Sequence, residues 1–310
     1  MFRRAPHDAD RVVLRHQRIY ILPSRRGIAF LGTWAVMLLT SLNYAMSLGF
    51  AVTFVLLGLV AAALLHTYRN LAGVEVRPLA AGEAFAGGTL PFTIALTGGP
   101  GIRRGFTLAT RDATSAVFDI PAATAVSVTL ERPVPRRGVC ALGRVTVASS
   151  HPLGLWRAWA YVHFALEGIV YPAPEAAAPP LPAGDHGHDA RIAARGAEDD
   201  LAGVRDYQTG DPLQRVAWKA VARGGGWYSK QFEGSGGSGA TTLDWRMLPR
   251  ELGVEGRIAR LAAWVLAAER TARPFALRLP SGDLAVGQGR DHRRHALTAL
   301  ALLPDHTVLG

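Results

Sequence analysis

Asp, Glu, Lys and Arg are all missing from residues 27–68, the whole chain has one cysteine, and only Lys219 and Lys230 among its 34 basic side chains are lysines. A single thiol, Cys140, cannot close an intramolecular disulfide or furnish a cysteine-based zinc site, so nothing in the thiol chemistry points to an oxidising compartment. On a strand such a cysteine reads as a small buried apolar residue before it reads as a nucleophile. The scarcity of lysine also qualifies the net charge of +10. Arginine enriched together with Ala and Gly reads first as the bias of a GC-rich genome and only second as a polyanion surface. Catalytic signatures are missing as well. There is no Gly-x-Ser-x-Gly elbow and no His-Glu-x-x-His, and the glycine runs at 87–88 and 224–226 lack the Lys-Ser/Thr of a phosphate loop.

The uncharged run is far longer than the ~20 residues one transmembrane helix needs. Two spans fit it, over 27–42 and 47–66, with a break at Ser41, Leu42, Asn43 and Tyr44, where the apolar run is interrupted. The first is short, roughly 24 Å at the 1.5 Å rise of an α-helix. A signal peptide does not fit, because the stretch is too long, no small-residue cleavage site follows it and a second span comes at once. Seven arginines (Arg3, Arg4, Arg11, Arg15, Arg18, Arg25 and Arg26) precede the first span, Arg69 and Arg77 follow the second, and the turn carries no charge. By the positive-inside rule both ends face the cytoplasm. The expectation is a multi-pass protein of the inner membrane, with residues 1–26 as a basic cytoplasmic tail and 27–68 as a transmembrane hairpin.

Beyond the hairpin, residues 74–79, 89–97, 105–110, 125–131 and 143–148 show β-branched or aromatic alternation punctuated by Gly, Pro and Asp, which predicts a β-sandwich over 69–172. An Ala/Pro-rich stretch running into Gly, His and Asp marks a linker over 173–200. His163, His186 and His188 are not spaced as metal ligands. Residues 201–310 mix strands and helices: a short strand at 241–243, an amphipathic helix at 256–270, a strand at 275–279 and a closing helix at 293–303, an order that implies a small α/β domain.

The densest signal lies at 203–223. Asp211 is placed to cap a helix, Pro212 suits its first position and Gln214 completes a capping box. Leu213, Val216, Ala217, Ala220 and Val221 then share one face, while Arg215, Lys219 and Arg223 line the other at four-residue intervals.

This segment resembles domain-of-unknown-function family 58, a bacterial and archaeal membrane-protein family whose hallmark is Arg-x-Tyr-x-x-Gly-Asp-x-x-Arg-x-x-x-Trp-x-x-x-Ala-Arg. Arg205, Tyr207, Gly210, Asp211, Arg215, Trp218, Ala222 and Arg223 follow that order at close to that spacing. The likeness extends to Asn43 and Tyr44, to Arg137-Gly138-Val139, to the turn from His151 to Trp156, and to Val170-Tyr171-Pro172. It implies a β-sandwich followed by a von Willebrand A-like α/β domain, and association with MoxR-type AAA+ ATPases and transglutaminase-like membrane proteins. Two departures stand out. Ala217 occupies a position that is often acidic or His in the family. A metal-binding von Willebrand A site also needs Asp-x-Ser-x-Ser to set two hydroxyls beside its carboxylate, whereas Asp244 is followed by Arg246 and Leu248. No Mg²⁺ site, and no cofactor, is expected.

The leading expectation is therefore a membrane-anchored, non-enzymatic adaptor in which Arg205, Asp206, Tyr207, Gly210, Asp211, Arg215, Trp218, Lys219 and Arg223 form an interaction block for a MoxR-type AAA+ ATPase in complex assembly or envelope biogenesis. The rival is a hydrolase or transferase using Asp206 and Asp211 with nearby arginines. The basic stripe could also bind an anionic ligand, and with Trp218 and Trp227 it has the residue types for nucleic acid, but three basic residues on one face are more often a solvated surface. The block's alternative role is internal, an Arg–Asp network fastening helix to sheet.

Overall fold

Leu90, Phe92, Ile94 and Leu96 are each fully buried and alternate with more exposed neighbours, the period-2 pattern that drives a strand to lay one face on a core. They belong to β5 (Gly88–Thr97), which sits in a four-stranded sheet with β1 (Val12–Val13), β3 (Glu75–Ala81) and β8 (Ala125–Val134), in the order β1-β3-β5-β8. A second sheet runs β2-β10-β9-β6-β7, formed by β2 (Ile19–Pro23), β10 (Trp156–Tyr171), β9 (Gly138–Ser149), β6 (Arg103–Ala109) and β7 (Phe118–Ile120), with β4 (Glu83–Phe85) lying parallel to β10. One hydrophobic cluster takes Val76, Phe92 and Leu130 from the first sheet and Phe106, Val145 and Phe164 from the second. That arrangement fits the expected β-sandwich.

The structure is a computed structural model and describes residues 8, 10–182, 203–206, 228–231 and 240–304. The chain divides into two units, Met1–Ala173 and Pro174–Gly310.

Within the first unit, part of the expected basic tail over 1–26 is built into the sheets, as β1 and β2. Val12 and Leu14 are buried in the core and Ile19 and Ile21 pack against it, so burial of two short apolar alternations outweighs solvation of the arginines between them. The arginines adapt: Arg11 pairs with Glu75 at 2.5 Å and Arg18 with Asp8 at 2.6 Å. Burial pushes the Glu75 carboxyl up, but hydrogen bonds from Arg77 and Arg11 outweigh it and hold the group below its usual range. Strand β10, sixteen residues long, was not among the expected strands either, although Ala158, Ala160, Val162 and Phe164 alternate on its buried face.

Two helices interrupt the sheets. α1 (Arg25–Asn43) and α2 (Ser47–Leu71) flank a turn at Tyr44–Met46, close to the expected break. They pack tightly. Trp34 Nε1 donates to the Thr53 carbonyl at 2.8 Å, and a Cβ on Gly49 would lie 2.3 Å from Ser41 Oγ, the small-residue contact that lets helix backbones approach. Among the described residues one helix, α2, is long and apolar enough to cross a membrane by length and composition, and most of its apolar stretch is not buried. Val36, Leu39, Phe54, Val55 and Leu59 are exposed on this pair. An apolar surface of that kind is compatible with membrane association.

The lower half of α2 is fastened to the second sheet. Thr67 Oγ1 donates to the His151 carbonyl at 2.9 Å, Asn70 Nδ2 to Arg104 O and Ser149 Oγ at 2.8 Å each, and Leu71 is wholly buried in the core. Trp156 Nε1 reaches the Val60 carbonyl at 3.1 Å. Ser24 caps α1 by accepting from the Gly27 amide at 3.1 Å, and its hydroxyl donates to the Gly154 carbonyl at 2.5 Å. The turn from His151 to Trp156 is thus wedged between the foot of α1 and the flank of α2.

In the second unit, β13 (Thr241–Asp244) runs parallel to β14 (Phe275–Leu279), with α3 (Gly253–Arg270) between them in sequence; β14 then pairs antiparallel with β15 (Gly282–Gly287), and α4 (Arg290–Ala301) follows. Ile258, Leu261, Ala262, Val265 and Ala268 form the buried stripe of α3, close to the amphipathic face expected there. The hairpin β14–β15 was not expected. The opening residues of the expected linker pack on α3: the Arg260 guanidinium forks onto Glu175 at 2.8 and 2.9 Å, and Trp264 Nε1 donates to Pro179 O at 2.9 Å. The hydrogen bonds from Arg260 hold the Glu175 carboxyl below its usual range. A further antiparallel pair, β11 (Gly203–Asp206) with β12 (Tyr228–Gln231), sets Arg205 opposite Ser229 and Asp206 opposite Tyr228.

Candidate functional site

Of the nine residues expected to form the interaction block, Arg205 and Asp206 fall on β11, where the backbone alone is described. Tyr207, Gly210, Asp211, Arg215, Trp218, Lys219 and Arg223 lie outside the described residues, as do His186 and His188. The helix expected from Pro212 lies outside them too. Cys140 is half-buried against the core of the first unit, and burial pushes its thiol up, away from the thiolate needed for nucleophilic attack.

The described residues do contain a second feature marked out by the sequence, the strand end at Asp244. It borders a cleft of about 620 Å³ lined by Asp244, Trp245, Arg246, Arg250, Arg257 and Arg278, with Leu279, Pro280 and Asp283 completing the wall. Local sequence explains the construction. β13 stops at Asp244 because its carboxylate turns back to accept from the Arg246 amide at 2.8 Å, capping a short 3₁₀ turn over Trp245–Met247. Trp245 and Leu248 are buried and pin that turn to the unit, which leaves Arg246 exposed at the rim. Arg257, on the first turns of α3, donates to the Pro249 carbonyl at 3.0 Å and lies over the Trp245 ring at 5.3 Å from its centroid. Across the sheet, Asp244 is opposite Arg278 in the β13–β14 register and Arg278 is opposite Asp283 in the β14–β15 register. One end of the sheet therefore carries a row of Asp, Arg and Asp, with three further arginines around it.

The cleft lies at the carboxyl ends of two parallel strands, the place where open α/β sheets bind ligands. Its chemistry is ill suited to a cation. Leu248, where a second hydroxyl would be needed, is 3% exposed, and the nearer carboxylate is already engaged with a backbone amide. Among the described residues no group of three His, Cys, Asp or Glu side chains converges to hold a metal. Millimolar Mg²⁺ should therefore leave the melting temperature of the full chain unchanged. A saturable rise abolished by Asp244→Ala would overturn that reading.

Sequence reasoning singled out Asp244 and Arg246 for what they cannot do and overlooked Arg250, Arg257, Arg278 and Asp283. The signal for these four was weak: only register and a turn bring them together, and neither is visible in spacing.

Compared with known proteins, the chain matches no protein-family model, and neither a curated protein nor a solved structure is similar to it.

Proposed function

We propose that this chain is a membrane-anchored, non-enzymatic adaptor that presents its two soluble units on the cytoplasmic face of the inner membrane to a MoxR-type AAA+ ATPase, with a transglutaminase-like membrane protein as a further partner. The observation that carries the reading is the way the apolar helices are built into the first unit. Strands β1 and β2 precede α1, strands β3 to β10 follow α2, and both groups pair within the same two sheets. A membrane element tied in at both feet transmits position and force to the soluble part, which is what an anchor for a mechanical ATPase requires. Support for the partner comes from the resemblance of residues 205–223 to family 58, and the same resemblance supports reading the second unit as a reduced von Willebrand A-like domain without its metal.

In this reading the basic stripe Arg215, Lys219 and Arg223 meets an acidic surface on the ATPase, steering its approach. The test is affinity capture from detergent-solubilised membranes, with the bound ATPase identified directly. Wild type should retain it at low salt, while Lys219→Glu combined with Arg223→Glu should lose it, mainly through slower association, and raised salt should mimic the substitution. Equal capture by a well-folded double variant would remove the stripe from the interface and leave an internal, structural role for the block.

A further inference from the structure

We propose that the arginine-lined cleft at the carboxyl ends of β13 and β14 is a binding site for a phosphate-bearing ligand, a phosphomonoester or diphosphate. Four arginines face this space against two aspartates, an imbalance that invites an anion. Elsewhere in the second unit two arginines are matched: Arg260 forks onto Glu175 and Arg293 pairs with Glu269 at 2.7 Å. By contrast Arg246, Arg250 and Arg278 make no ion pair with any described residue. Like charges gathered in a concave site raise the local potential and focus it on a counter-ion. A guanidinium presents a planar fork of donors that matches phosphate oxygens two at a time, a fit that a chloride ion cannot exploit.

Size and walls narrow the class. At about 620 Å³ the cleft falls in the range of small-molecule sites and exceeds what one orthophosphate fills. Leu279, Pro280 and Trp245 give the wall an apolar part for whatever carries the phosphate. Asp244 and Asp283 flank Arg278 in the row at the sheet end: Asp244 is held by the Arg246 amide, while Asp283 opposes an incoming anion electrostatically. The site thus has arginines that bind and an aspartate that tunes.

The cleft's chemistry is independent of the adaptor reading, since it needs neither a bilayer nor a partner protein. The experiment is calorimetric titration of the purified, detergent-solubilised full chain with inorganic pyrophosphate, with melting curves to establish that each variant is folded. Saturable binding is expected. Arg278→Gln, at an exposed position on β14, should weaken it by roughly tenfold to a hundredfold, the loss of one charge-assisted contact. Asp283→Asn should tighten it several-fold by removing the opposing charge, a gain that damage to the fold cannot imitate. A second arm repeats the titration in mixed micelles containing phosphatidic acid. Loss of pyrophosphate binding there assigns the phosphate to a lipid headgroup, and persistence assigns it to a soluble ligand. Absence of saturable binding, or equal affinity in folded Arg278→Gln, Asp283→Asn and wild type, overturns the proposal. Neither result bears on partner capture, so the two readings fail separately.

Discussion

Gly27→Ala should destabilise the first unit sharply, while Gly32→Ala, five residues along the same helix, should not. A Cβ at Gly27 would sit 2.0 Å from the Leu155 carbonyl oxygen and 2.9 Å from its carbon, whereas one at Gly32 meets nothing within 4 Å. The obstacle at Gly27 is backbone, and that backbone is held: the Ser24 amide donates to the same Leu155 carbonyl at 2.8 Å, the Ser24 hydroxyl holds Gly154, and Trp156 is tied to Val60. Relief therefore requires moving α1 away from the turn or breaking several hydrogen bonds together. Overpacking of this kind costs about 1–3 kcal/mol and more where nothing yields, which for a unit of this size is a fall of roughly 5–10 °C in melting temperature. Gly32→Ala removes backbone freedom from an open helical position and should be neutral or stabilising by up to ~1 kcal/mol. Melting curves of the two variants, run side by side in detergent, make the comparison. Equal stability would show that α1 does not bear on the His151–Trp156 turn and that the joint is loose.

That joint shows where sequence reading reaches its limit. The uncharged run located two helices and the start of the second, because the absence of charge over 27–68 is a one-dimensional signal. The strands at 89–97 and 125–131 were equally plain, for their alternation is complete within each segment. What stayed hidden needed partners distant in sequence. Val12, Leu14, Ile19 and Ile21 look like stray apolar residues in a basic tail until β3 and β10 arrive from 60 or more residues downstream to pair with them. α2 was expected to stop at His66, where polar residues begin; it continues to Leu71 because Thr67 and Asn70 find acceptors and donors on the sheet rather than in water. The same holds in the second unit. Asp244 was legible as a strand end that lacks metal ligands, but Arg278 and Asp283 join it only through the register of β13, β14 and β15. Spacing encodes helical faces and strand alternation. It does not encode which edges meet.

The second large effect concerns sidedness, and it is all-or-none: a cytoplasmic-type reporter fused after Gly310 should be active, and a periplasmic-type reporter at the same place silent. Arginine placement supports this, with positive charge before the first helix and after the second and none between. The weave of the first unit adds an independent constraint. β1 pairs with β3 and β2 with β10, so residues on either side of the helical pair must lie in one aqueous compartment for the sheets to form. A single crossing would put β1 and β2 on the opposite side of the bilayer from their partners and leave Val12, Leu14, Leu71 and Val74 without the core they share. Under the proposed anchoring, the pair enters and leaves by the same face, and the charge rule chooses which. A reporter placed at Ala45, in the turn between the helices, should give the reverse pattern from one after Gly310. Periplasmic activity at both sites would mean that the helices lie outside the bilayer altogether. Periplasmic activity after Gly310 alone would invert the orientation and with it remove the soluble units from the reach of any cytoplasmic ATPase.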